Sequence, residues 1–104
     1  MSTKKNKNPL YIIGYTENKE PVMGGVWSAY ETHGLPLDII FDVCIQRKWI
    51  PGWPDLYKDM KKSGMEHGRI LSKLEEAIND SFGKEYGAVV ISRLDEIFAP
   101  KEQK

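Results

Sequence analysis

A single cysteine, Cys44, is all this chain contains, which excludes an intramolecular disulfide and any cysteine-based metal cluster. It lies inside DIIFDVCIQ (38–46), among apolar neighbours that suit a buried, unreactive thiol. Histidine is almost as scarce. His33 and His67 fall at an expected helix end and an expected helix start, and neither has a second histidine or cysteine at ligand spacing. No cofactor or metal is therefore expected. Charge of one sign is missing too: 15 Lys and Arg balance 15 Asp and Glu, so no net charge draws the chain to nucleic acid or anionic lipid. The lysines of MSTKKNKNP are not followed by the apolar stretch of a secretory signal, and no apolar run is long enough to span a bilayer. Cytoplasmic residence is the expectation. A Gly-x-Ser-x-Gly nucleophile elbow is absent, and SFGKEYG (81–87) lacks the glycines and the Lys-Ser/Thr ending of a phosphate loop. There are no internal repeats and no low-complexity stretch.

What remains is ordinary globular material, 40% apolar and 29% charged in 104 residues, enough for one modest core. The reading is one domain over 9–99. It is preceded by a disordered basic tail, 1–8, carrying Lys4, Lys5 and Lys7, and followed by a short disordered tail, 100–104.

LYIIGYT (10–16) is β-prone, with Gly14 as a candidate bulge. One strand cannot stand alone. It needs a second chain, a short partner strand elsewhere, or a bed of helices to lie on. From residue 22 the period changes: Met23, Val26, Trp27 and Tyr30 mark an amphipathic helix closed by Gly34. Gly24 with Ser28, and Gly25 with Ala29, form small-residue rows if that helix includes the glycines. Alternatively, the helix begins at or after them. Pro36 and Asp38 start a second helix through Trp49, with Leu37, Ile40, Phe41 and Cys44 as its stripe. Ile39 and Val43 widen that stripe, which predicts the central helix of the fold. Pro54 and Asp55 start a third helix, with Leu56, Tyr57 and Met60 inward and Gly64 as its stop. The fourth, 65–83, carries His67, Ile70, Leu71, Leu74, Ala77 and Ile78 on one face. In 84–100 two periods compete. YGAVVIS is β-branched, but Tyr86, Val90, Leu94, Ile97 and Phe98 repeat as a helix, and helix is the choice. The fold class is thus mainly α: a compact bundle of four to five short helices behind a short N-terminal extended segment.

Three readings of function follow. The leading one is a small non-catalytic protein that binds another protein or itself. KWIPGWPDLY (48–57) concentrates Trp49, Trp53 and Tyr57, residue types that dominate interface hot spots, with Arg47 and Lys48 on the rim. Pro51-Gly52 fits the centre of a type II turn there, so the segment is a helix–helix corner that also offers a docking surface. A homodimer is one form of this reading, through paired LYIIGYT strands or the glycine rows. The size and one-domain design are those common among small bacterial or phage-encoded accessory proteins, although no motif ties the chain to a family.

The second reading is a nucleic-acid-binding regulator. Residues 53–83 have a helix-turn-helix skeleton, with Lys58, Lys61 and Lys62 on its first helix and Arg69 and Lys73 on its second. Against it stand Glu66 at the start of the would-be recognition helix, the dilution of the lysines by Asp55 and Asp59, and the bulk of Met60. The third reading, a small enzyme or metal-binding protein, would use Asp38, Asp42, His33 or His67. Asp38 and Asp42, like Glu76 and Asp80, are four apart on helices, a spacing that more commonly marks a solvated face.

Overall fold

LYIIGYT finds its partner inside the same chain. In the computed structural model, which describes residues 10–99, β1 (Tyr11–Tyr15) pairs antiparallel with β2 (Pro21–Gly24). Thr16 closes the hairpin. Its hydroxyl accepts the backbone N–H groups of Asn18 and Glu20 at 3.2 and 3.1 Å, and Lys19 takes the left-handed conformation that the turn needs. A bulge falls between Ile12 and Gly14, where the register slips by one residue. The expected tails, 1–8 and 100–104, lie outside the described residues.

Met23 therefore sits in a strand, not on a helical stripe as its spacing suggested, and α1 begins at Val26 (Val26–His33). The two glycines decide this. Gly25 caps the helix with φ 84, a conformation cheap only for glycine, and Gly24 stays in the ladder, where its lack of a side chain admits Ile13. The small-residue rows of the helical reading do not form.

After α2 (Leu37–Arg47), Lys48 turns the chain through a left-handed conformation, and Trp49 donates its N–H to the Cys44 carbonyl at 2.7 Å. Ile50–Pro51 then forms β3, a two-residue strand parallel to Val22–Met23, so the sheet order is β1-β2-β3. The expected type II turn is not made: Gly52 has φ −79, whereas that turn needs a positive φ at its second central residue. Sheet pairing overrides the local preference, with Gly52 donating its N–H to the Met23 carbonyl at 2.8 Å. Glycine is required at 52 for a different reason. A methyl there would meet Ile13 Cδ1 at 2.8 Å and the Met23 carbonyl oxygen at 3.1 Å.

The rest is helical: α3 (Trp53–Lys62), α4 (His67–Phe82) and α5 (Lys84–Phe98), the last two hinged on Gly83 alone. The β-branched run in α5 stays helical because Val90 and Leu94 bury against the core at helical spacing. The fold is mainly α, with five helices and one short sheet near the N-terminus among the described residues. Phe41, Leu56, Met60, Ile70, Leu74, Ile78 and Leu94 are completely buried at its centre. The central helix is α4, which packs against α2, α3 and α5. α2 is less enclosed than its apolar residues suggested, because Ile39 and Ile45 remain exposed. Single exposed aliphatics are common on protein surfaces.

Candidate functional site

Trp53 is the first residue of α3, delivered there by β3 and followed by Pro54, whose fixed φ suits a helix start. Its indole meets Phe41, Phe82 and Tyr86 edge-on, at centroid separations of 5.4, 5.7 and 6.2 Å. Phe82 and Tyr86 stack on each other at 4.7 Å. Edge-on and offset contacts are the arrangements that ring quadrupoles favour. The Trp53 Nε1–H donates to the Tyr86 hydroxyl at 3.4 Å, so four helices hold this ring in one orientation.

One side of the indole stays open. It walls a groove of about 290 Å³, with Ile50 and Pro54 beside it and Tyr86, Val89, Val90 and Ile97 opposite on α5. Leu94 closes the floor, and Arg93 is the single charged side chain in the lining. Val89 and Ile97 are 63% and 53% exposed, an apolar surface that the described residues leave uncovered.

Trp49, Trp53 and Tyr57 do not form one platform. Trp49 is half-buried beneath the Arg47 guanidinium, which stands 5.2 Å above its ring, and it borders a separate depression of about 150 Å³ with Leu35, Ile39 and Val43. Lys48 is exposed at the end of α2. Tyr57 is buried, stacked on Phe98 at 4.1 Å, with its hydroxyl 2.6 Å from His67 Nδ1. The other nitrogen of that ring, Nε2, is 2.8 Å from Asp95 Oδ1. With a neutral imidazole this network selects one tautomer: Nε2–H donates to Asp95, and Nδ1 accepts from the phenol. Burial, and secondarily the negative Asp95, pushes the Tyr57 phenol above its ordinary range. It stays a neutral donor rather than a nucleophile. Sequence reading placed Tyr57 and His67 on inward stripes, but nothing in their spacing joins 57, 67 and 95.

The candidate nucleic-acid residues occupy charge-mixed surfaces. Lys58, Lys61 and Lys62 are exposed on α3, and Asp59 shares that helix, its carboxyl pushed up by burial and then by Asp55, with Lys62 opposing. Arg69 and Lys73 border one hollow together with Glu66 and Glu76. The Lys73 ammonium sits 5.0 Å over the Tyr30 ring. His33 is exposed at the end of α1, Asp38 accepts the N–H of Ile39 at 3.0 Å, and Asp42 is exposed. No group of three or more His, Cys, Asp or Glu side chains among the described residues could hold a metal ion. No helix among them is long and apolar enough to cross a membrane.

No protein family matches the chain, and neither curated proteins nor solved structures provide a match.

Proposed function

We propose that the chain is a small non-catalytic interaction protein that docks a partner protein in the Trp53 groove. The observation that carries this reading is the open apolar surface of Val89 and Ile97 facing an indole already held by Phe41, Phe82 and Tyr86. A rigid aromatic wall costs little entropy when a partner binds, which is why such side chains supply most of the energy at interfaces. The partner chemistry follows from the lining. It is a short segment with two or three apolar anchors and a carboxylate placed to meet Arg93, the groove's one charge. α5 presents these groups from Tyr86 to Ile97, roughly 16 Å of helix, which matches about three turns of a bound helix. This reading assigns the protein to the cytoplasm, where a lone thiol stays reduced. The Arg69–Lys73 surface, interleaved with Glu66 and Glu76, adds no support for the nucleic-acid alternative.

Panning a displayed peptide library against the purified protein tests the reading. Enriched peptides should combine apolar anchors with Asp or Glu, should quench tryptophan fluorescence, and should lose affinity at least tenfold with Val89→Asp and with Arg93→Glu. If the enriched peptides bind Val89→Asp as well as the parent protein, the groove is not the docking site.

A further inference from the structure

Two donors in the Trp53 groove lack partners, and they stand at different heights along α5. The half-buried Tyr86 hydroxyl accepts the Trp53 Nε1–H, but its own hydrogen has no acceptor among the described residues. The Arg93 guanidinium has no ion pair among them either. Tyr86 and Arg93 are two helical turns apart, about 10 Å along the axis. Past Ile97 the sign reverses. The last turn of α5 carries Asp95 and Glu96 and no basic residue, and Glu96 is exposed beside Ile97. The groove therefore has a direction, with donors from Tyr86 to Arg93 and carboxylates at its far end. A helix has a direction too. Its last turn presents carbonyl oxygens without partners and a partial negative charge, and its first turn the opposite.

We propose that the occupant is an amphipathic helix of a partner protein running antiparallel to α5, its last-turn carbonyls accepting from the Tyr86 hydroxyl and its first turn beside Glu96. This rests on the docking of a partner in the Trp53 groove, and adds the orientation and the spacing of what docks. Antiparallel placement gives each polar group its complement: the Tyr86 O–H meets free carbonyls, and Glu96 meets the positive end of the bound helix. Parallel placement would set free carbonyls against Asp95 and Glu96, and free N–H groups against the Tyr86 hydroxyl hydrogen. Donor would face donor.

The same placement fixes a sequence pattern in the partner. Arg93 lies midway between Val89 and Ile97 on α5, so the carboxylate that reaches it is flanked by apolar anchors about one turn to either side. Because Tyr86 is two turns from Arg93, that carboxylate falls about two turns before the C-terminal end of the bound helix. A parallel helix would instead carry it about two turns after its start.

The test uses a library-selected peptide whose binding is lost with Val89→Asp, synthesised with a nitroxide at its N-terminus or at its C-terminus. Each form is added to the isotope-labelled full chain, and paramagnetic broadening is recorded. The C-terminal label should broaden the amide signals of Tyr86 and Val89, and the N-terminal label those of Ile97 and Phe98. Tyr86→Phe, which keeps the ring and removes the donor, should weaken the unlabelled peptide about fivefold. Glu96→Lys should weaken it about threefold. The opposite broadening pattern, equal broadening from both labels, or a Tyr86→Phe chain that binds like the parent overturns the orientation while the docking site stands. A library that yields no peptide sensitive to Val89→Asp removes the docking site, and the orientation with it. Should Tyr86→Phe fail to fold, the labels on the wild type decide alone.

Discussion

The Tyr57 hydroxyl lies 2.6 Å from His67 Nδ1, and this contact ties α3 to α4 at the point where Asp95 of α5 holds the other side of the imidazole. Three helices meet in one chain of hydrogen bonds, beneath which Tyr57 stacks on Phe98. The consequence is energetic coupling. Tyr57→Phe keeps the stack and loses the hydrogen bond, so it should cost about 1 kcal/mol. His67→Leu leaves a buried phenol without its acceptor, for about 1–3 kcal/mol. The double variant should cost clearly less than the sum of the two, and urea titrations of all four proteins measure the difference. Additive losses would show that the two side chains do not act as a unit.

Alkaline stability follows from two buried acids. Burial pushes the Cys44 thiol from 9.0 up to about 11, and Tyr57 likewise ionises above its ordinary 10.0. Both folded values are raised, so between the unfolded and folded values the unfolded chain binds fewer protons than the folded one. The stability these groups confer is complete below pH 9.0 and is lost as pH rises from there through about 11 for the thiol, with Tyr57 adding its loss above 10.0. Denaturant midpoints measured across this window should fall less steeply for Cys44→Ala and for Tyr57→Phe than for the wild type. At pH 8 the folded thiol should resist aromatic disulfide reagents and react only on unfolding.

Gly87 is buried in α5 against the Asn79 side chain of α4, whose carbonyl oxygen is itself buried without a hydrogen-bond partner. A methyl at 87 would collide with that oxygen. Gly87→Ala should therefore destabilise by about 1–3 kcal/mol through overpacking, against a helix-propensity gain of at most ~1 kcal/mol. Adding Asn79→Ala should recover most of the loss. Gly68, where a methyl meets nothing within 4 Å, is the control, and Gly68→Ala should stabilise by up to ~1 kcal/mol. Thermal unfolding of these variants separates contact from propensity.

Trp53 is as much a structural member as a docking wall. Its ring touches side chains of α2, α4 and α5, so Trp53→Ala should cost about 3–5 kcal/mol. Val89→Asp, at an exposed position, should stay within about 0.5 kcal/mol of the parent. Guanidinium titrations will distinguish them, and only the second variant separates lost binding from lost fold.

The helices were legible wherever the apolar period ran unbroken between clear stops. Leu56, Tyr57 and Met60, or Ile70, Leu74 and Ile78, recur at helical spacing, and the same residues are the buried ones. Legibility failed at the glycines and at the corner. Met23 has the spacing of a helical residue, and Pro51-Gly52 has the chemistry of a type II turn. Both instead belong to a sheet whose strands come from three separate stretches of chain. Pairing partners that lie far apart in sequence leave no local signature.

The amino-acid order of KWIPGWPDLY alone determines that the chain must turn there, because two prolines fix backbone angles and remove N–H donors regardless of surroundings. Only the tertiary structure decided what the aromatic residues do, because burial depends on what other elements bring. α4 and α5 bring Phe82 and Tyr86 to Trp53, and α4 and α5 bring His67 and Phe98 to Tyr57. Trp49 is left under Arg47 at a separate depression. Three residues spaced four apart thus occupy three different environments, and one of them, Trp53, borders the open groove.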